Sequence, residues 1–192
     1  LRLQSSEARH RPLQETDEEM SDFNAFDLLV PFKGERDYLQ SADVYQALLI
    51  QFTELSNSAE LGDVRLIFRN FARSALRASF ELPEGKEANA TFTTICGGEK
   101  LRLFVWETGN PVAERVPYPE EEIVSICDID SEEKIVTLDK PSDDYRYGLM
   151  ETIVAMNKAM HLKVFADHPG KWLFTETRNP RPLLGKNWNR IR

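Results

Sequence analysis

The stretch Asp63–Phe80, DVRLIFRNFARSALRASF, decides the fold because it can be read in two periods at once. Val64, Leu66 and Phe68 alternate with Arg65, Ile67 and Arg69, and Leu76, Ala78 and Phe80 alternate with Arg77 and Ser79. Alternation places successive side chains on opposite faces of a strand. Arg65, Arg69, Arg73 and Arg77 are also spaced by four, a helical interval that keeps a helix in competition. Two observations favour strands. The alternation holds on both sides of Asn70–Ser74, and the next segments are plainly extended: ATFTTI at 90–95 and LRLFVWE at 101–107, with turns at Pro83-Glu84-Gly85 and Gly97-Gly98.

The flanks supply the remaining elements. Upstream, FNAFDLLVPF at 23–32 reads as a short strand ended by Pro31 and Gly34. Ser41-Ala42-Asp43 opens a helix through about Leu55, with Ser41 or Asp43 as its N-cap. At 100° per residue, Val44, Tyr45, Leu48, Leu49, Phe52 and Leu55 share one arc, and Asp43, Gln46, Thr53 and Glu54 lie opposite. Downstream, Glu121–Cys127 and Lys134–Leu138 read as strands flanking an Asp128–Glu133 turn. A second helix follows Asp143 and Asp144, runs from about Tyr147 to Phe165, and is stopped by His168-Pro169-Gly170. KWLFTETR at 171–178 is a further strand, and residues 179–192, with Pro180, Pro182 and Gly185, read as a loop-like basic tail. The expected fold is therefore α+β: an antiparallel sheet of about eight strands packed on two amphipathic helices.

Composition bounds the rest. The chain has 192 residues, 41% apolar and 29% charged, a formal net charge of −8 and a pI near 5.0. These are globular values, and they argue against general nucleic-acid binding, where a basic surface supplies most of the affinity. No apolar run approaches the ~18 residues of a membrane span, so a soluble protein with no membrane partner is expected. Two cysteines, Cys96 and Cys127, form neither a disulfide framework nor a zinc site and read as structural thiols in a reducing, cytoplasmic setting. The charge is polarised. Residues 117–144 hold ten acids against Lys134 and Lys140, whereas the last 23 residues carry six bases against Glu176 alone. The two regions can neutralise each other, pair between chains in a homo-oligomer, or leave the tail for an anion. Trp172 and Trp188 among those bases leave a single-stranded nucleic acid as a minor reading.

Residues 1–22 are polar, aperiodic and lack a secretory h-region, and read as a flexible arm that contains His10. Residues 23–178 then form a single domain.

Each helix is preceded by an Asp-Tyr pair, Asp37-Tyr38 and Asp144-Tyr145, 107 residues apart. The same offset lays Leu66-Ile67 on Leu173-Phe174, so residues 23–107 and 112–178 are candidate pseudo-repeats. This element order, over Phe23–Arg178, resembles the hotdog fold, in which a long antiparallel sheet wraps one central helix; two units would make a double hotdog. The chain departs from that pattern after the second helix, where one clear strand replaces several. Either the second unit borrows strands from the first, or the arrangement is another helix-on-sheet fold. The resemblance implies acyl-thioester chemistry, as hydrolase or dehydratase, with a carboxylate or His near the helix. No family motif transfers residue by residue.

Motifs for other chemistry are missing from the sequence: no Walker A loop, GxGxxG, GxSxG or HExxH. Asp128-Ile129-Asp130-Ser131-Glu132-Glu133 lacks the central Gly and spacing of a calcium loop and reads as a solvated turn. Asn89-Ala90-Thr91 matches a glycosylation sequon without a secretion signal to give it meaning. No metal or cofactor is expected.

The second helix carries the candidate site. Its apolar arc includes Leu149, Met150, Ile153, Val154, Met156, Met160, Val164 and Phe165, and Asn157 and His161 project into the middle of it, one turn apart. Glu151 and Lys158 fall opposite, on a wet face. Polar groups on a buried face are either satisfied internally or face a pocket. In the second case Asn157 orients a ligand carbonyl, His161 donates a hydrogen bond or acts as a base, and Met156 and Met160 line an adaptable apolar wall. Three functions follow: a non-catalytic or weakly catalytic module binding a small apolar or acyl ligand; an acyl-thioester enzyme using His161 with Asn157 or Asp144; or an assembly module using the basic tail and acidic hairpin.

Overall fold

The computed structural model describes residues 25–55, 61–118, 120–139, 145–168, 173–183 and 190–191. The expected arm at 1–22 with His10, Asp143 and Asp144, and Trp172 and Trp188 lie outside the described residues. The architecture is α+β, built on a six-stranded antiparallel sheet with three helices among the described residues.

The ambiguous stretch is extended. Leu61–Phe68 forms β3 and Leu76–Ser79 forms β4; Ala90–Cys96 (β5) and Glu99–Glu107 (β6) make a hairpin. Its two-residue turn is Gly97-Gly98, both at positive φ (59° and 89°), which glycine adopts without steric cost. With Phe26–Leu28 (β1) and Glu176–Asn179 (β10) the sheet order is β1-β4-β6-β5-β3-β10. The period of two is visible in the burial: Val64 and Leu66 of β3, Ala90, Phe92 and Thr94 of β5, and Leu103 and Val105 of β6 all face inward.

Helix α1 (Ser41–Leu55) lies over that face with Val44, Tyr45, Leu48, Leu49 and Phe52 buried, as its arc predicts. Each such side chain contributes about 1.5–3 kcal/mol on burial. Neither predicted cap serves. The Gln40 carbonyl accepts from the Asp43 and Val44 amides, Ser41 Oγ donates to the Phe174 carbonyl at 3.0 Å, and Asp43 turns to Lys33.

Several boundaries differ from expectation. The apolar run at 23–32 gives two short strands, β1 and Phe32–Lys33 (β2), the latter pairing in parallel with Arg115–Val116 (β7). Glu120–Ser125 is a helix, α2, where a strand was expected; Glu120, Glu121 and Glu122 occupy its first turn, where the helix dipole favours negative charge. The hairpin is Asp128–Asp130 (β8) with Ile135–Asp139 (β9), and Asp130 Oδ1 caps its turn by accepting from the Glu132 and Glu133 amides, both at 3.0 Å. The last predicted strand starts late, at Glu176, so Leu173-Phe174 of the proposed repeat precede β10. The tail is not wholly loop: Arg190–Ile191 (β11) pairs with β9, the strand of the acidic region.

Helix α3 (Leu149–Val164) joins two hydrophobic clusters. Met150 and Val154 meet the main core, while Ala155 and Met156 pack with Ile123, Val136, Leu138, Tyr145 and Tyr147. The helix starts at Gly148, whose carbonyl accepts from Thr152 Oγ1 at 2.8 Å; Tyr145 donates to that same Thr152 oxygen at 2.6 Å. No helix among the described residues is long and apolar enough to cross a membrane.

Candidate functional site

All four buried residues of α3 (Met150, Thr152, Ala155 and Met156) belong to its first half. From Asn157 onward none is buried, so the apolar arc continues onto a half of the helix that leaves the core. Asn157 is exposed, not set in a buried face. His161 is half-buried; its Nδ1 lies 2.7 Å from the Asn157 carbonyl and its ring stacks on Phe165 at 5.9 Å. Met156 is buried and Met160 half-buried, both in the smaller cluster. Asp144, the third partner of the enzyme reading, lies outside the described residues.

A cavity of about 800 Å³ lies on another side of the same helix. It is bounded by the β2–α1 loop and the start of α1, by the β3–β4 connection, by Tyr118 and the start of α2, and by Val154, Lys158 and Leu162 of α3. Asn157, His161, Met156 and Met160 are not among its walls. Phe71, Leu162 and Leu173, three large apolar side chains left substantially exposed, stand on its lining. Tyr38 packs on Phe71 with ring centroids 4.8 Å apart.

The same lining also carries charged groups. Arg36 Nη2 and Lys158 Nζ both donate to Glu120 Oε2, at 3.1 and 2.6 Å. The Tyr118 ring lies under two cations, with Lys33 Nζ 5.0 Å and the Arg36 guanidinium carbon 4.7 Å from its centroid. Burial, then Glu120 and Glu151, hold the Tyr118 phenol far above its usual range, so it is a protonated donor at every working pH.

Behind Tyr118, Lys33 is bound by two carboxylates: Asp43 Oδ1 of α1 at 2.7 Å, and Glu151 Oε1 of α3. Glu151 Oε2 also accepts from the Gly148 amide at 3.4 Å, so one side chain caps α3 and ties it to β2. This corrects the reading of Glu151 and Lys158 as a wet face. Nothing in the sequence distinguishes a solvated glutamate from one that meets a lysine 118 residues away.

Two other sequence candidates are absorbed by the fold. Asn89 of the sequon is buried, with its amide bonded to the Phe71 carbonyl and to Glu107. Cys96 and Cys127 are free and half-buried, Cys127 just after α2; burial pushes the Cys127 thiol up and makes it a poor nucleophile. Among the described residues no cluster of His, Cys, Asp and Glu could hold a metal ion.

No protein-family model, no curated protein and no solved structure matches this chain, so the function is argued from the cavity itself.

Proposed function

We propose that the protein is a non-catalytic module that binds a small amphipathic ligand of the acyl class in the cavity between α1 and α3. The observation that carries this reading is the cavity's mixed lining: Val154, Leu162, Phe71 and Leu173 offer apolar surface, and Arg36, Lys158 and protonated Tyr118, gathered around Glu120, offer donors for an acyl oxygen. Its volume, about 800 Å³, falls in the range of small-molecule sites. The hotdog-like reading belongs to this proposal, supported by one helix, α1, laid over an antiparallel sheet. Binding is preferred to an acyl-thioester hydrolase or dehydratase because neither His161 nor Asn157 faces the cavity.

The test is titration with a fluorescent long-chain fatty acid. Wild-type protein is expected to bind it saturably. Val154→Trp, which narrows the cavity, should weaken binding at least about tenfold, as the loss of ~1.4 kcal/mol requires. Asn157→Ala should bind as wild type does. Absence of saturable binding, or equal binding by Val154→Trp, overturns the reading.

A further inference from the structure

We propose that Lys33, Asp43 and Glu151 form a proton-operated latch between α1 and α3, and that the latch sets how closely the two helices close on the cavity. The three side chains are 11%, 16% and 13% exposed, and the two carboxylates share one ammonium. Asp43 Oδ2 is buried and has no hydrogen-bond partner. A buried carboxylate oxygen without a donor is costly, and a second acid beside it makes the cost larger.

The neighbouring charges do not cancel the excess. Arg36 reaches towards Asp43 from the β2–α1 loop but is hydrogen-bonded to Glu120, which also takes Lys158 of α3. Tyr118 presents a neutral ring to Lys33. Arg115 of β7 is spent on the Gly34 and Arg36 carbonyls. The buried group therefore holds one more carboxylate than ammonium, and a proton relieves it. Asp43 is where it goes: burial pushes its carboxyl up, and Glu151 adds to this, against the opposing pull of Lys33 and Arg36. Lys33 keeps its charge, because the pull of Asp43 and Glu151 outweighs burial.

The sign follows from linkage. A carboxyl whose folded pKa is raised binds its proton more tightly in the folded state. Its contribution is fully present below the unfolded value and is lost as pH rises through the folded one. Acidification thus tightens the junction of α1 and α3, and rising pH loosens it. Asp43 and Glu151 sit in the first turns of their helices, next to Gln40–Ala42 on one cavity wall and before Val154 and Lys158 on the other. The effect on a ligand rests on the cavity being a binding site; the proton uptake does not.

The experiment compares wild type, Asp43→Asn and Glu151→Gln as full chains between about pH 4 and pH 7, where buried carboxyls titrate. Carboxyl-carbon NMR follows Asp43, hydrogen-exchange protection factors follow α3, and fluorescent fatty acid reports the cavity. Wild type should show an Asp43 midpoint above that of an ordinary aspartate, and α3 protection and probe affinity that fall as pH rises. Asp43→Asn should flatten both profiles. Glu151→Gln, which balances the pair, should lower the Asp43 midpoint from its wild-type value while burial still acts on it, and it serves if Asp43→Asn fails to fold. An Asp43 midpoint at or below the ordinary value, or an unchanged α3 profile in Asp43→Asn, overturns the latch. A pH-dependent α3 with no probe bound at any pH upholds the latch and removes the ligand.

Discussion

Asn89 and Glu107 hold each other at both ends: Asn89 Nδ2 donates to Glu107 Oε2 at 3.2 Å, and the Glu107 amide donates to Asn89 Oδ1 at 3.1 Å. Glu107 Oε1 meanwhile accepts from the Arg73 and Ser74 amides at 2.5 and 2.7 Å. One carboxylate thus fastens the β3–β4 connection, and with it Phe71 at the cavity, to the end of β6.

Glu107→Gln should therefore destabilise the fold by about 1–3 kcal/mol, because an amide donor then faces Asn89 Nδ2 where an acceptor stood. Burial opposes the Glu107 charge, but the amides, Asn89 and Ser74 outweigh it and hold its carboxyl below the usual range. The wild-type protein should lose this contribution as pH falls through that lowered value, and Glu107→Gln should not. Urea unfolding at several acidic pH values checks both points.

Lys33→Met should cost about 3–5 kcal/mol at neutral pH, since it strands Asp43 and Glu151 together without their cation. The loss should shrink on acidification, as protonation removes one of the stranded charges. Chemical denaturation at pH 7 and at lower pH gives the two values.

Tyr45→Phe should cost about 1–2 kcal/mol, because the Tyr45 hydroxyl accepts from Asn179 Nδ2 at 3.3 Å and from the Leu183 amide at 3.2 Å. Faster hydrogen exchange at Leu183, with the β5–β6 hairpin unchanged, is the expected signature.

Asn157→Ala should change stability by no more than about 0.5 kcal/mol, as expected of an exposed position without a special role. A thermal melt checks it. A loss of several kcal/mol would restore the buried face inferred from the helical arc.

Legibility in the sequence followed the range of the physics involved. The strands at 61–107 and both long helices were readable because periods of two and 3.6 are local, and Gly97-Gly98 announces its own turn. Helix α2 was missed because IVSIC resembles a strand, although three glutamates after Pro119 signalled a helix start. Asn157 was misplaced because an arc gives direction around a helix but not depth along it, and α3 is buried only as far as Met156. The charged groups were invisible as a cluster: Lys33 meets Glu151, and Arg36 meets Glu120, only after the sheet has brought distant segments together.

The pairing of β11 with β9 has a mechanical consequence. After β9 the chain passes through α3 to the edge of the large sheet at β10, then returns to close the small sheet at β11. Tension applied at Ile191 would load the Leu138 and Asp139 pairing before anything else. Force from that end would reach the α3 junction through the small sheet first, so a tether fixed there would pull on the acidic hairpin and leave the six-stranded sheet slack.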